Sequence, residues 1–288
     1  MPPRTYSVSE IAAVAGVAPS TIRSWETRYG FPASSRTSGR HRRYNDAEVE
    51  QVRALVEEMR RGLPVGRAIE AMRNRVDPDP VADAEVREVL RSALRVDPAR
   101  VQRMLDQSAL GAGVESTIET VLLPALRELG RWVETGRASV ANERAASDGV
   151  QRWLAKLHAL SPPPFRERTI VFATAPDELH TLGLECLALL MARRGWAAVQ
   201  LGAMTPADVL AGGAQQAGAD AVVVSSHRSA TRRSAVAAAR SVTRFTSIPV
   251  FYGGDGFMDP AARGAMPGRY LADTIPAAVG ELESALGA

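Results

Sequence analysis

From Thr169 onward, short apolar segments alternate with longer segments of helical period, and this alternation limits the chain to very few folds. Thr169–Ala173, Ala197–Leu201, Ala221–Ser225 and Val250–Tyr252 read as buried strands, with a short last strand at Tyr270–Ala272. Between and after them, His180–Arg194, Pro206–Gly218, Ala230–Arg244 and Pro276–Leu286 read as helices. Strands that are apolar throughout are buried on both faces, so the expected architecture is a doubly wound parallel α/β sheet of the flavodoxin-like type. Ligands of such sheets bind beyond the carboxyl ends of the strands.

The preceding stretch, Asp83 to about Leu160, has a different period. Val86, Val89, Leu90 and Leu94 form one amphipathic stripe. Ile118, Leu122, Ala125, Leu126 and Leu129 form a second, and Trp153, Leu154 and Leu157 a third. Helices of this length predict a small bundle, ended by Ser161-Pro162-Pro163-Pro164. Upstream, Val76-Asp77-Pro78-Asp79-Pro80 reads as a linker. The expected organisation is therefore multidomain: 1–75, an all-α helix-turn-helix unit; 76–82, a linker; 83–164, the bundle; and 165–288, the α/β unit.

The N-terminal unit begins with Ser7-Val8-Ser9-Glu10, a capping box, followed by an apolar face of Ile11, Val14 and Ala15 and a helix-ending Gly16. Pro19 opens a second helix to Tyr29, in which Ile22 and Trp25 face inward while Ser20, Thr21, Arg23 and Arg28 face out. Two short helices around a tight turn suit insertion into the major groove. A loop with Arg36, Arg40, Arg42, Arg43 and Tyr44 follows, suited to gripping phosphates. Asn45-Asp46-Ala47-Glu48 then caps a helix pair, Asp46–Met59 and Pro64–Met72. Charge agrees with this assignment: residues 1–75 hold 13 arginines and 8 acids, whereas the remainder holds 22 basic and 24 acidic residues. A basic excess confined to the first quarter suits a polyanionic partner; a merely solvated basic surface is the plainer alternative.

Trp25-Glu26-Thr27-Arg28-Tyr29-Gly30-Phe31-Pro32, Arg36-Thr37-Ser38-Gly39 and His41-Arg42-Arg43-Tyr44 resemble the MerR-type winged helix-turn-helix, from about Tyr6 to Met72. Arg40 stands where that wing more often has a second glycine, and Ala18 is a poorer cap than the serine often found there. The resemblance implies dimeric binding to a near-palindromic promoter or operator in double-stranded DNA. Its DNA-binding set is Ser20, Thr21, Arg23, Arg28, Tyr29, Arg36, Arg40, Arg42, Arg43 and Tyr44.

The strand-end loops carry a second resemblance. Glu178-Leu179-His180-Thr181-Leu182-Gly183 follows the first strand of the α/β unit, Ser225-Ser226-His227 the third, and Gly253-Gly254 the fourth. Together they resemble the cobalamin-binding pattern. The resemblance implies His180 as the cobalt ligand and Glu178 as the carboxylate orienting its ring. It places Gly183, Ser225, Gly253 and Gly254 along the nucleotide tail. His227 and Arg228 stand where that family prefers small or apolar residues.

A MerR-type unit, a bundle and a cobalamin-binding unit, in that order, resemble the light-sensing cobalamin-dependent repressors of carotenoid genes. In that family the bundle presents a tryptophan over the cofactor and a Glu-His pair whose histidine captures cobalt after light. Aligned on Gly136 and Val140, this chain has Val133 at the tryptophan position, keeps Glu143, and has Arg144 at the histidine position. Trp132 is one residue away, a rotation of about 100° on a helix. Arginine stays protonated and cannot ligate cobalt.

The expectation is a sequence-specific transcriptional regulator, a repressor by resemblance, that senses a cobalamin without the upper-histidine photochemistry and acts as a homodimer or higher homo-oligomer. The alternative is a cobalamin-independent regulator whose α/β unit takes another ligand, mediates oligomerisation or binds partners. An enzyme is not expected: corrinoid methyltransferases and mutases need a barrel-sized substrate domain of about 250 residues, and residues 1–160 are already occupied by other elements. The single cysteine, Cys186, excludes an internal disulfide framework and a cysteine-based zinc cluster. With no apolar run of membrane length and no signal segment at Met1-Pro2-Pro3-Arg4, the expected location is the cytoplasm.

Overall fold

The computed structural model describes residues 5–32, 35–36, 42–60, 62–66, 68–69 and 83–287. It comprises two compact units, residues 1–101 with 124–146 and residues 102–123 with 147–288, so the bundle segment contributes to both.

In the first unit, α1 (Val8–Ala15) starts at the expected capping box. The Ser7 hydroxyl accepts from the Glu10 N–H at 3.3 Å, and the Glu10 carboxylate accepts from the Ser7 N–H at 2.6 Å. Gly16 ends the helix with φ 70°, a left-handed conformation that glycine adopts without steric cost. α2 (Pro19–Tyr29) follows, and Ala18 supplies no side-chain cap, as its type implies. The two-residue strands β1 (Ser35–Arg36) and β2 (Arg42–Arg43) pair antiparallel to form the wing. α3 (Asp46–Arg60) then packs Val49, Val52, Leu55 and Val56 against Ile11, Ile22 and Trp25. Of the expected Pro64–Met72 helix, residues 65–66 and 68–69 are helical, and Ala68 and Ile69 join this core. The rest of that helix and the 76–82 linker lie outside the described residues.

The bundle segment forms α4 (Ala84–Leu94), α5 (Pro98–Ala112), α6 (Val114–Thr117), α7 (Leu123–Glu134) and α8 (Val140–Ala159). The Val86, Val89, Leu90 and Leu94 stripe is buried, as are Trp153, Leu154 and Leu157. A π turn, Ile118–Leu122, precedes α7, and the Leu123 N–H donates to the Ile118 carbonyl. Pro124 has no N–H for the next ladder position, a known cause of such widening.

The start of α8 is fixed by Asn142. Its side-chain oxygen accepts from the Ser139 N–H and hydroxyl at 2.8 and 2.6 Å. Its amide donates to the Ala93 and Leu94 carbonyls, at 3.1 and 3.0 Å, satisfying the C-terminal end of α4.

In the second unit, β3 (Thr169–Thr174), β4 (Ala197–Gly202), β5 (Ala221–Ser225), β6 (Val250–Gly253) and β7 (Arg269–Tyr270) form a parallel five-stranded sheet in the order β4-β3-β5-β6-β7. This is the expected flavodoxin-like winding. On one face Val171, Ala173, Val222, Val224 and Val250 pack against α10 (Ala207–Gln216) and α11 (Arg232–Phe245). The alternate residues Ile170, Phe172, Val223 and Phe251 are buried on the other face, which α9 (Leu182–Arg193) covers. Each fully buried Val or Ile contributes about 1.5–3 kcal/mol. α12 (Ile275–Leu286) packs beside α9.

Several expected boundaries shift, three of them for a visible reason. α9 starts at Leu182 instead of His180, because the Glu178 side chain holds the preceding loop. α11 starts at Arg232 after a 3-10 turn, Ser229–Thr231, held by Ser226 and Thr231. The last strand is Arg269–Tyr270 instead of Tyr270–Ala272, with Leu271 adding one further N–H to the Tyr252 carbonyl. Among the described residues, no helix is long and apolar enough to cross a membrane.

Replacing Asn142 with Ala leaves two carbonyls at the end of α4 without their donor and uncaps α8. The expected cost is about 1–3 kcal/mol, read as a lower urea midpoint at unchanged slope.

Candidate functional site

The two loops that leave β3 and β5 diverge from neighbouring strands at the point where strand order reverses, the topological switch point of this fold. The first loop turns at Asp177 (φ 70°), a residue type that tolerates the left-handed region, with the Glu178 N–H donating to the Ala175 carbonyl at 3.0 Å. This turn sends the Glu178 side chain inward, where it is fully buried.

Both Glu178 oxygens are occupied. Oε1 accepts from the His180 N–H at 3.1 Å and lies 2.6 Å from His180 Nδ1. Oε2 accepts from the His227 N–H at 2.9 Å, the Arg228 N–H at 3.0 Å and the Thr231 hydroxyl at 2.8 Å. Burial alone would raise the carboxyl pKa; the donors from His180, Arg228 and Thr231 outweigh it and hold the pKa at about 2. The stabilisation from this charge is thus complete above the ordinary carboxyl range and is lost as pH falls towards 2.

A third loop joins the clamp. The Met204 N–H donates to the Glu178 carbonyl and to the Thr174 hydroxyl, both at 3.0 Å, and Met204 adopts φ 49° to do so. Thr174 in turn donates to the Glu178 carbonyl at 2.6 Å.

With Nδ1 held by a carboxylate, the His180 ring presents Nε2 away from the buried anchor, and its side chain is 47% exposed. The His227 ring packs beside it, with centroids 4.8 Å apart and a 39° tilt. Asp255 lies 3.3 Å from His227 Nδ1. Sequence reasoning set His227 aside from the site residues, yet the structure puts it against His180.

The other expected cofactor residues fall into two groups. Gly183 and Gly253 face open space, since a Cβ at either would meet nothing within 4 Å. Ser225 ends β5 between Thr174 and Gly253. Gly254 is required by the chain itself: φ is 97°, and a Cβ would lie 2.5 Å from the Ser226 carbonyl oxygen. Ser226 is buried, 2.7 Å from the Thr231 hydroxyl. Thr174 and Thr231 were missed because each acts through a contact distant in sequence, with Met204 and Glu178, and Ser226 because its role is to hold Thr231. The one local signal was the run of hydroxyl residues from Ser225 to Thr231.

In the N-terminal unit, Ser20, Arg23 and Arg28 are exposed on α2, while Thr21 and Tyr29 are half-buried. One expectation needs correction. Tyr44 is fully buried in the core, paired through its backbone with Tyr6, so its ring supports the wing and its hydroxyl does not face a phosphate. Arg42 forms an ion pair with Glu26, tying β2 to α2. Arg43 is half-buried beside it; Arg36 lies in β1 opposite Arg42. Arg40 lies outside the described residues.

Of the bundle positions, Val133 and Glu143 are half-buried and Arg144 is exposed. Trp132 is 1% exposed and belongs to the core, with the Arg137 guanidinium 5.0 Å from its ring centroid.

Glu178→Gln replaces an acceptor oxygen by a donor NH2 facing N–H and O–H groups. The expected loss is about 2–3 kcal/mol at neutral pH, with faster amide exchange at His227 and Arg228 than elsewhere in the sheet.

Comparison with known proteins agrees with this geometry. Residues 6–75 match the model of the MerR HTH family regulatory protein. Residues 85–158 and 168–285 match two models described as B12 binding domain. The chain is 34% identical over 225 residues to the HTH-type transcriptional repressor CarA of Myxococcus xanthus, covering 77% of this chain and 76% of that protein. It is 31% identical over 225 residues to the repressor CarH of the same organism, covering 73% and 75%. The monomethylamine corrinoid protein of Methanosarcina barkeri superposes with a TM-score of 0.58 at 13% identity, covering 70% of this chain and 98% of that one, a likeness of fold alone. The chain belongs to the family of HTH-type transcriptional repressors that includes CarA and CarH, a MerR-type DNA-binding regulator with B12 binding domains.

Proposed function

We propose that this regulator is a cobalamin-sensing repressor whose cofactor is held at His180. The observation that carries this reading is the buried Glu178 carboxylate on His180 Nδ1, which leaves Nε2 on an exposed side chain suited to holding cobalt. Gly183, Gly253 and Ser225 supply small residues around an open approach. The corrinoid, when bound, would supply a cobalt centre able to exchange ligands. Within the chain, Glu178 orients the ring, and Val133 and Arg144 stand at the sequence positions where the family has its tryptophan and histidine. Arg144 cannot donate a lone pair to cobalt, so a light response through an upper protein ligand is not part of the proposal.

The proposed operator contacts are Ser20, Thr21, Arg23, Arg28 and Tyr29 on the recognition helix, with Arg36, Arg40 and Arg43 on the wing; Arg42 acts on α2 through Glu26. The protein regulates double-stranded DNA as a homodimer or higher homo-oligomer and performs no catalysis. Its modules follow residues 1–75, 83–164 and 165–288. One observation favours a second reading, a cobalamin-independent regulator: the His227 ring stands against His180 and narrows its approach.

An absorption spectrum separates the two. Purified protein is incubated in the dark with adenosylcobalamin or hydroxocobalamin, desalted, and read before and after green light. Retained corrinoid bands, weakened by roughly tenfold or more in His180→Ala, support the cofactor reading. A colourless protein that still binds DNA supports the second. Independently, Arg28→Ala should weaken duplex binding and lower the salt slope by about 1 if it contacts phosphate, measured by anisotropy across a salt series.

A further inference from the structure

The α/β segment carries a charge feature that neither the helix-turn-helix nor the His180 site uses. Residues 221–254 hold five arginines, Arg228, Arg232, Arg233, Arg240 and Arg244, and no acidic residue. The whole chain has 32 acids among 288 residues, nearly balancing its 35 basic residues, so an acid-free stretch of this length is a local departure from its composition.

α11 concentrates this charge. At 100° per residue, Arg233, Arg240 and Arg244 fall within about 40° of one another on the helix surface. The buried Ala235, Ala238, Ala239 and Val242 lie on the opposite side, against the sheet. All three stripe arginines are exposed, as are Ala237 between them and Arg228 before the helix.

Among the described residues, none of the five arginines is within ion-pair distance of a carboxylate. Arg263 and Arg269, farther along the same segment, are each paired, with Asp273 at 3.6 Å and with Glu281. The polar contacts that the stripe does make are to neutral groups. Arg240 reaches the Ala265 carbonyl at 3.4 Å, and the Arg244 guanidinium lies 5.4 Å from the Phe245 ring centroid. Among the described residues, the guanidinium charges therefore stay uncompensated.

We propose that the α11 stripe, Arg233, Arg240 and Arg244 with Arg228 at its approach, is a second contact for duplex DNA that grips phosphates without reading bases. The stripe runs about 16 Å along the helix, and a duplex presents a phosphate charge about every 1.7 Å of its axis. DNA is the occupant that the chain's own composition favours. The same polypeptide carries a MerR-type DNA-binding segment, so a bound duplex raises the local concentration of phosphates for any other basic surface on the molecule. Arginine suits the role because its planar fork meets phosphate oxygens in pairs. The contact is independent of cobalamin and adds affinity without sequence preference.

The test uses the full chain and a long random-sequence duplex, with affinity measured by anisotropy between about 50 and 200 mM salt. The triple variant R233Q/R240Q/R244Q is expected to lower the salt slope by about 2.7 if each arginine neutralises one phosphate. R233K/R240K/R244K should restore most of that slope. An unchanged melting temperature in both variants shows that the fold is kept. A slope unchanged in the glutamine variant overturns the proposal. So does a slope change that appears only with a changed molecular mass in light scattering, which assigns the face to contact between copies. Loss of binding to phosphatidylserine vesicles with DNA binding intact also overturns it, in favour of a membrane surface. Arg28→Ala on the same duplex reports the helix-turn-helix contact separately, and corrinoid retention is read by colour, so failure here is distinct from failure of either reading.

Discussion

A buried carboxylate organises the ligand end of the α/β unit. Glu178 accepts from His180 on its own loop and from His227, Arg228 and Thr231 on the loop after β5, while its carbonyl receives Met204 from the loop after β4. Parallel sheets align their strands but leave the loops at the carboxyl end without mutual ladder bonds. A single buried charge with donors from two loops supplies that missing connection. Its desolvation cost is offset because every donor is within hydrogen-bond distance and four of the five are backbone or ring N–H groups fixed by the fold.

The same clamp determines what His180 can do. A neutral imidazole whose Nδ1–H is held by a carboxylate keeps its lone pair at Nε2, with its ring orientation set by the fold. His227 is a consequence of the clamp as well as a modifier of it. Its N–H satisfies Glu178, and that backbone contact carries its ring to 4.8 Å from His180. A residue that reads as a misfit in the sequence is thereby part of the loop that holds the Glu178–His180 pair.

The N-terminal unit uses charge in a comparable way. Arg42 and Glu26 join the wing to the recognition helix, and Tyr44 fills the space beneath. These residues fix the angle between α2 and the wing, while Arg23 and Arg28 remain exposed on α2. The division between residues that build a surface and residues that form it is the reason a basic loop cannot be read as uniformly phosphate-facing.

The sequence by itself determined the order of modules, the sheet type and most element boundaries, because period and capping are local: Ser7 and Glu10, Gly16, and Asn45 and Glu48 act over three or four residues. It also located His180 and Glu178, whose contact spans only two residues. Only the tertiary structure decided which expected site residues are structural. Tyr44, Arg42 and Gly254 owe their roles to Tyr6, Glu26 and Ser226, partners that a linear pattern does not bring together. Thr174, Thr231 and Asn142 likewise act across loops or helices far apart in the chain. The uncompensated stripe on α11 lies between these cases: its composition is local, but only the fold shows that no described carboxylate comes near it.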